Sequence, residues 1–298
     1  MTAPAAFTVL TDSPALAPLL ARGALLSPFR RPRPDADFPR ARLVLPGLRV
    51  DQARLAAYER VCGFPTGDDA LPVTYPHVLG FPLAMRLMSD RAFPLPLLGL
   101  VHTSIEITRR TRLTTADPYE LAVHVEGLAP HRRGTEAAVV TEARVAGQVV
   151  WESRSTYLAR HGGPGGAETE TSRESYGRGE PGESAGPAQP PSPLPPLTHW
   201  RLGADVGRRY GAASGDRNPI HLHPLTARLF GFPRPVAHGM WTVARCLAEH
   251  GTPDAVAVRA RFRAPVLLPG TVTYAARDGR FELRGGERRH VSGTVSPL

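Results

Sequence analysis

Apolar and polar residues alternate with the period of a β-strand in the last part of the chain. Between residues 255 and 262, Val256 and Val258 are in phase, and Arg259 and Arg261 fall on the opposite parity. Such alternation is typical of a strand with one buried face. Turn residues, among them a Pro-Gly pair and a Gly-Gly pair, then separate three more predicted strands at 271–276, 280–283 and 289–295.

Two other segments are apolar on nearly every side, as expected of a helix buried in a core. They cover residues 78–88 and 240–248. The first is also followed by strand-like segments, at 97–108, 120–126, 137–143 and 149–158. Each half of the chain therefore predicts one apolar helix and several antiparallel strands.

The two halves echo each other in sequence. Residues 54–58 parallel residues 206–210, and each segment is followed by a glycine. Further on, residues 72–75 parallel residues 235–238, and both lead into an apolar helix. The spacing differs by about eleven residues, which sit between the two matches in the second half. We predict two related repeats, of which only the second carries this insertion.

The stretch 162–196 separates the halves. It is nearly half Gly and Pro, carries five Glu and has almost nothing to bury, which is typical of disorder. The predicted organisation is an N-terminal repeat at 1–161, a disordered linker at 162–196 and a C-terminal repeat at 197–298.

Candidate catalytic side chains are concentrated in and just after the inserted segment. Asp216 and His221 stand five residues apart across an Asn-Pro turn, and His238 and Gly239 begin the predicted helix. Asn218 fits as the cap of a short helix with proline at its first position, which leaves Asp216 free for chemistry. A carboxylate and an imidazole beside unpaired backbone N–H groups can move a proton next to a polarised carbonyl.

This segment resembles the signature of the MaoC-like, (R)-specific enoyl-CoA hydratase (hydratase 2) family. That signature reads Asp-x-Asn-Pro-x-His, then a short helical excursion with a Phe, then Ala-His-Gly-Met. It is carried here by Asp216, Asn218, Pro219, His221, Phe230, Val236, Ala237, His238, Gly239 and Met240. One departure is His223, which stands where the family usually has Asp.

The resemblance implies an α+β double hot dog, in which each of two repeats is an antiparallel sheet wrapped around a central helix. The halves would pack as a pseudo-dimer with a complete active site in one chain. The N-terminal repeat lacks the Asn-Pro-x-His turn and has Tyr75 and Pro76 in place of His-Gly. It would be a degenerate repeat that shapes a tunnel for the acyl tail.

The resemblance also implies an activity without a cofactor, the reversible hydration of trans-2-enoyl thioesters to (3R)-3-hydroxyacyl thioesters in fatty acyl metabolism. Asp216 and His221 would activate one water molecule, and the Gly239 N–H would polarise the thioester carbonyl. Three residues would contact the substrate: Asn218, His238 and Met240. Two alternatives stay open, that His238 is a packed core residue and that Gly239 only permits close packing.

Other functions are compatible with the same scaffold. An acyl-CoA thioesterase is one, although hydrolases of this fold generally place their carboxylate elsewhere, and a non-catalytic acyl-binding partner subunit is another. The sequence leaves open the acyl chain length, CoA or acyl carrier protein as carrier, the physiological direction, further pairing into a homodimer, and which of Asp216 and His221 makes each proton transfer.

Charge and composition limit the classes of binding partner that the sequence favours. The chain of 298 residues has a net charge of +9 that comes from Arg alone; without a basic strip or nucleic-acid motif it indicates a compositional bias rather than a nucleic-acid partner. It favours an anionic substrate such as a CoA thioester. Arg259, Arg261 and Arg263 are expected on a solvated strand face, with contact to CoA phosphates as the alternative.

Location and metal content follow from what the sequence lacks. No apolar run is long enough for a membrane span, and the N-terminus does not resemble a signal peptide. Two cysteines, Cys62 and Cys246, do not make a disulfide framework, so we expect a cytoplasmic protein. His221, His223 and His238 do not form a convincing ligand set, so no metal is predicted.

Overall fold

The computed structural model describes residues 7–161 and 193–298. The strands of these ranges are β1 (Phe7–Val9), β2 (Arg42–Leu48), β3 (Val101–Arg109), β4 (Tyr119–His131), β5 (Gly134–Val145), β6 (Gln148–Arg160), β7 (Pro196–Leu202), β8 (Val256–Phe262), β9 (Gly270–Arg277), β10 (Arg280–Gly285) and β11 (Arg288–Pro297). The helices are α1 (Leu16–Leu26), α2 (Gln52–Cys62), α3 (Tyr75–Met88), α4 (Val206–Ser214), α5 (Pro224–Leu229) and α6 (Gly239–His250), with short 3-10 turns at Ser27–Phe29 and Pro219–His221.

All of these strands belong to one sheet, in the order β1-β2-β4-β5-β6-β3-β8-β11-β10-β9-β7. The order is mirrored about its centre, because β2-β4-β5-β6-β3 on one side corresponds to β7-β9-β10-β11-β8 on the other. The two sides join where β3 and β8 pair antiparallel, with Ile107 opposite Val258. Only β1 pairs in parallel, beside β2.

The two apolar helices lie against this sheet as the sequence predicted. The segments 78–88 and 240–248 fall inside α3 and α6, and α3 packs on β4 and β5 while α6 packs on β10. The α+β double hot dog is therefore confirmed. The longest helix, α3, has 14 residues, and in the described ranges no helix combines the length and apolar character needed to cross a membrane.

The corresponding helices of the two halves also meet. α2 packs against α4, where the rings of Tyr58 and Tyr210 lie 5.9 Å apart. Both helices end in a glycine in the left-handed conformation, Gly63 with φ of 81° and Gly215 with φ of 86°, which ends a helix without the penalty a Cβ would add. The sequence echo therefore corresponds to the same helix ending in each half.

Two element boundaries differ from the prediction by four residues or more. Residues 97–100 are not part of the strand predicted at 97–108, because Gly99 turns the chain with φ of 83° before β3 begins at Val101. β4 runs to His131, beyond the predicted end at 126, because its pairing with β5 continues to the His131–Gly134 pair. The ends of these strands depend on pairing with a neighbouring strand, and a local sequence pattern does not encode that pairing.

The predicted linker lies mostly outside the described residues, of which the second range begins at 193. At its C-terminal end the prediction was wrong, because Leu194 is buried and β7 begins at Pro196. A proline is compatible with that position since β7 is an edge strand and needs no donor on its outer side. We propose that the two domains are the repeats on either side of this segment.

Candidate active site

The loop after α4 presents Asp216. The N–H of Asn218 donates to the Asp216 carboxylate over 3.2 Å, and the Asn218 side chain accepts from the N–H of Ile220 over 3.4 Å. Asn218 is thus the cap of the 3-10 turn Pro219–His221, as predicted. These short-range bonds fix the direction of the Asp216 side chain, which retains 30% of its exposed area.

His221 ends that turn and is buried. Its Nδ1 lies 2.7 Å from the carbonyl oxygen of Val236. Because a carbonyl only accepts, Nδ1 carries a proton, and Nε2 of the neutral ring is left as the acceptor. Burial lowers the pKa of His221, with Asp216 opposing that effect, so the neutral form is favoured near pH 7.

His238 is the capping residue before α6 and is 2% exposed. Its Nε2 donates to the backbone oxygen of Asp216 over 2.9 Å, and its ring stacks on His221 with centroids 3.6 Å apart. On its other side lies the ring of Tyr210 at 4.8 Å. His238 therefore ties the Asp216 loop to the start of α6, while its Nδ1 has no hydrogen-bond partner among the described residues.

Asp216, His221 and His238 converge although the chain separates them by up to 22 residues. Each offers one polar side-chain atom, and these atoms all lie within 4.8 Å of one another. A single water can bridge such a gap, since it bonds at about 2.8 Å on each side. Burial raises the pKa of Asp216, against the influence of His221, and it lowers the pKa of His238 well below its usual range.

Gly239 is the first residue of α6, so its N–H has no acceptor within the helix. The positive end of the helix dipole favours negative charge at this point. A Cβ at Gly239 would lie 3.0 Å from Cε1 of Phe262. The glycine therefore allows close packing of Phe262 and also keeps this backbone approachable, so the geometry is compatible with both readings of Gly239.

Three further residues considered in the sequence analysis have different surroundings. Met240 is 7% exposed and belongs to the hydrophobic core. His223 is exposed, and its side chain accepts from Leu225 N–H at the start of α5. Arg259 lies on the exposed face of β8 with Glu106 at 3.9 Å, in agreement with the solvated face expected for the β8 arginines.

The N-terminal half adds residues that the motif did not indicate. Phe262 of β8 packs on the ring of His102, 4.7 Å away, and His102 stacks on Tyr157 at 4.5 Å. Asp216 contributes to raising the pKa of Tyr157, after the larger effect of burial. A signal was present in β6, where Ser153, Ser155 and Tyr157 occupy alternate positions on one face.

The three clustered side chains are also a donor set that in principle suits a metal ion. Their geometry does not favour one. Ligands of one ion direct their nitrogen lone pairs at a common point about 2.1 Å away, whereas the His221 and His238 rings are stacked with planes only 26° apart. Lone pairs in two such nearly parallel planes converge much farther from the rings than a metal–nitrogen bond extends. The arrangement therefore suits proton transfer better than metal binding.

Comparisons with known proteins find relatives of this chain. Residues 189–296 match the model of the MaoC like domain family. The chain is 38% identical over 256 residues to 3-hydroxyacyl-thioester dehydratase X of Mycobacterium tuberculosis, a match that covers 85% of this chain and 86% of that protein. A shorter match, 42% over 65 residues, is to peroxisomal enoyl-CoA hydratase 2 of Arabidopsis thaliana and covers 19% of this chain and 20% of that protein.

Among solved structures, the crystal structure of HtdX of Mycobacterium tuberculosis superposes with a TM-score of 0.72 at 34% sequence identity. The superposition covers 86% of this chain and 100% of that chain. Both halves of the double hot dog therefore have counterparts in a solved relative.

Proposed function

The chain belongs to the MaoC-like dehydratase family, and on that premise we propose that it catalyses the reversible hydration of trans-2-enoyl thioesters to (3R)-3-hydroxyacyl thioesters. One observation carries the proposal. A ring nitrogen of His221 and a carboxylate oxygen of Asp216 lie within 4.8 Å of each other, a distance that one water can bridge, next to the N-terminus of α6. That arrangement supplies acid–base groups and an oxyanion donor in one place.

His221 is the base for water in this proposal. Its Nδ1 proton is held by the Val236 carbonyl, so Nε2 is free to accept a proton from water as the oxygen adds to the β-carbon. The carbonyl then stabilises the imidazolium that forms. A lowered pKa keeps the ring neutral around neutral pH, and the neutral ring is the form that can accept a proton.

Asp216 supplies the second proton transfer. Burial raises its pKa, and in this proposal its carboxyl form donates a proton to the α-carbon. The enolate that forms in between places negative charge on the thioester oxygen, where the Gly239 N–H and the α6 dipole stabilise it. The proton on His221 then returns to Asp216 through solvent, and the reaction balances as the addition of one water.

Hydration of trans-2-enoyl-CoA substrates of several chain lengths tests this proposal. The assay follows loss of enoyl absorbance and identifies the product enantiomer by chiral analysis. Asp216→Asn and His221→Ala are each expected to lower kcat by roughly 10²- to 10⁴-fold. Matched substitutions at exposed positions, Asp205→Asn and His199→Ala, are expected to retain wild-type turnover.

Two results would overturn the proposal. Release of free CoA from acyl-CoA without hydration would indicate a thioesterase. Tight binding of acyl-CoA and acyl carrier protein thioesters, with no turnover of either, would indicate a binding subunit. Parallel assays with both carriers also decide which one the site accepts.

A further inference from the structure

The N-terminal half places a second group of polar side chains next to the site. We call it the β3–β6 polar cluster, and its members are His77, His102, Ser153, Ser155 and Tyr157. The His102 ring lies between the other two rings, 4.5 Å from Tyr157 and 6.1 Å from His77. The mechanism proposed above uses none of these side chains.

A β-bulge turns His102 into this cluster. Ile105 and Ile107 of β3 are buried, so strict alternation would put His102 on the opposite face. The register of β3 against β6 shifts between His102 and Ser104, and His102 consequently faces Tyr157. Bulges of this kind are common beside active sites, where they redirect a side chain.

The cluster holds polar atoms that the surrounding protein does not satisfy. Within the described ranges, His77 Nδ1, His102 Nε2 and the hydroxyl of Ser153 are buried without a hydrogen-bond partner, whereas the Ser155 hydroxyl lies beside the phenol of Tyr157. His77 is 9% exposed, and the two serines are 1% and 2% exposed. A buried polar group without a partner is destabilising, so a polar occupant would be stabilised here.

The cluster borders the place where the thioester would lie. Phe262 packs on the ring of His102 and lies next to Gly239. Tyr157 stacks on His102, and Asp216 is among the groups that raise the pKa of Tyr157. An acyl chain that leaves the Asp216–Gly239 region toward the N-terminal half therefore passes the cluster.

We infer that the β3–β6 polar cluster binds a hydroxyl or carbonyl oxygen carried by the acyl chain, beyond the reacting double bond. The cluster is thus a specificity subsite that selects oxygen-substituted acyl chains over plain hydrocarbon chains. This inference rests on the proposed function, since it assigns the acyl chain to this side of the site.

The occupant is uncharged because the imidazoles are. Burial lowers the pKa of His77 to about 4 and that of His102 to about 3, so both rings are neutral near pH 7. A neutral imidazole offers one N–H donor and one acceptor, which matches a hydroxyl on both counts. A carboxylate would bring an unpaired charge into an enclosed site.

The test compares pairs of trans-2-enoyl-CoA substrates of equal chain length, one plain and one with a hydroxyl, the hydroxyl being moved along the chain within the series. The readout is the ratio of kcat/KM for the hydroxylated and the plain substrate. For at least one hydroxyl position we expect the wild type to favour the hydroxylated chain. His102→Phe keeps the ring stack but removes its nitrogens, and should reduce the ratio roughly tenfold.

His77→Leu should act in the same direction, and His124→Phe, on β4 and outside the cluster, should leave the ratio at its wild-type value. The inference is overturned if the wild type prefers the plain chain at every position, a result that needs no variant to fold. It is also overturned if His102→Phe and His77→Leu leave the ratio unchanged.

Turnover of the plain substrate tests the proposed function separately. If that turnover is absent, the Kd values of saturated plain and hydroxylated acyl-CoA, measured by calorimetry, replace the kinetic ratio. Tighter binding of the hydroxylated ligand, lost in His102→Phe, would then support the subsite, and equal Kd values would overturn it.

Discussion

His221 and His238 stack face to face with ring centroids 3.6 Å apart, and each ring is held by a different backbone oxygen. His221 bonds to the carbonyl of Val236, and His238 to the carbonyl of Asp216. The pair therefore connects the Asp216 loop to the segment that leads into α6. A substitution of either ring therefore changes the support of both the Asp216 loop and the start of α6.

Replacing His238 should separate its positioning role from plain packing. His238→Phe keeps a stacked ring but leaves the Asp216 carbonyl without its donor, which costs about 1–3 kcal/mol of unfolding free energy. We expect kcat to fall roughly tenfold with little change in KM, because Asp216 loses its alignment rather than the substrate its contacts. His238→Gln, which retains an N–H donor, should recover part of kcat; equal losses in both variants would argue against the Asp216 contact.

A substitution at Gly239 can distinguish its two interpretations. In Gly239→Ala the new Cβ would lie 3.0 Å from Phe262, and it would also hinder approach of the thioester to the helix N-terminus. Overpacking of this kind costs about 1–3 kcal/mol, and we expect kcat to fall at least tenfold.

The double variant Gly239→Ala, Phe262→Leu removes the clash. If it restores stability but not kcat, the backbone N–H acts on the substrate; full recovery of kcat would reduce the glycine to a packing role.

Much of the site was predictable because its determinants are local. Asn218 caps its turn through bonds to residues two positions away, and Gly239 begins α6 directly after the matching motif. Alternation in β8 marked the buried and exposed positions, since one face of that strand packs on the core. Patterns within a few residues are sufficient for features of this kind.

The remaining features depend on partners that are distant in sequence. The contact of His238 with the Asp216 backbone spans 22 residues, and the turn of His102 into the cluster comes from a register shift against β6, about 55 positions further along the chain. β1 and α1 were not predicted either. β1 is a three-residue strand whose register is set by its pairing with β2. Neither propensity nor periodicity encodes such pairings.

The indole of Trp241 makes a hydrogen bond between the two halves. Its replacement should therefore lower the unfolding free energy by more than the lost apolar surface alone would. Its Nε1 donates to the carbonyl of Val61, at the end of α2, over 2.8 Å. Trp241→Phe leaves that buried carbonyl unpaired, so we expect it to lower the unfolding free energy by about 1–2 kcal/mol more than Trp200→Phe. Trp200 is a matched control, since its Nε1 has no hydrogen-bond partner among the described residues. Urea denaturation measures both, and equal losses would show that the Val61 bond contributes little.

The polar cluster also predicts how stability depends on pH. Burial lowers the pKa of His77 from 6.5 to about 4 and that of His102 from 6.5 to about 3. Between those limits the unfolded chain binds more protons than the folded one, so the unfolding free energy is fully present above pH 6.5 and decreases as the pH falls. For His77 the loss is on the order of 3 kcal/mol by pH 4. Urea midpoints measured between pH 7 and 4 should fall less steeply in the His77→Leu, His102→Phe double variant than in the wild type. Parallel slopes in wild type and double variant would show that these rings do not titrate on unfolding as the structure requires.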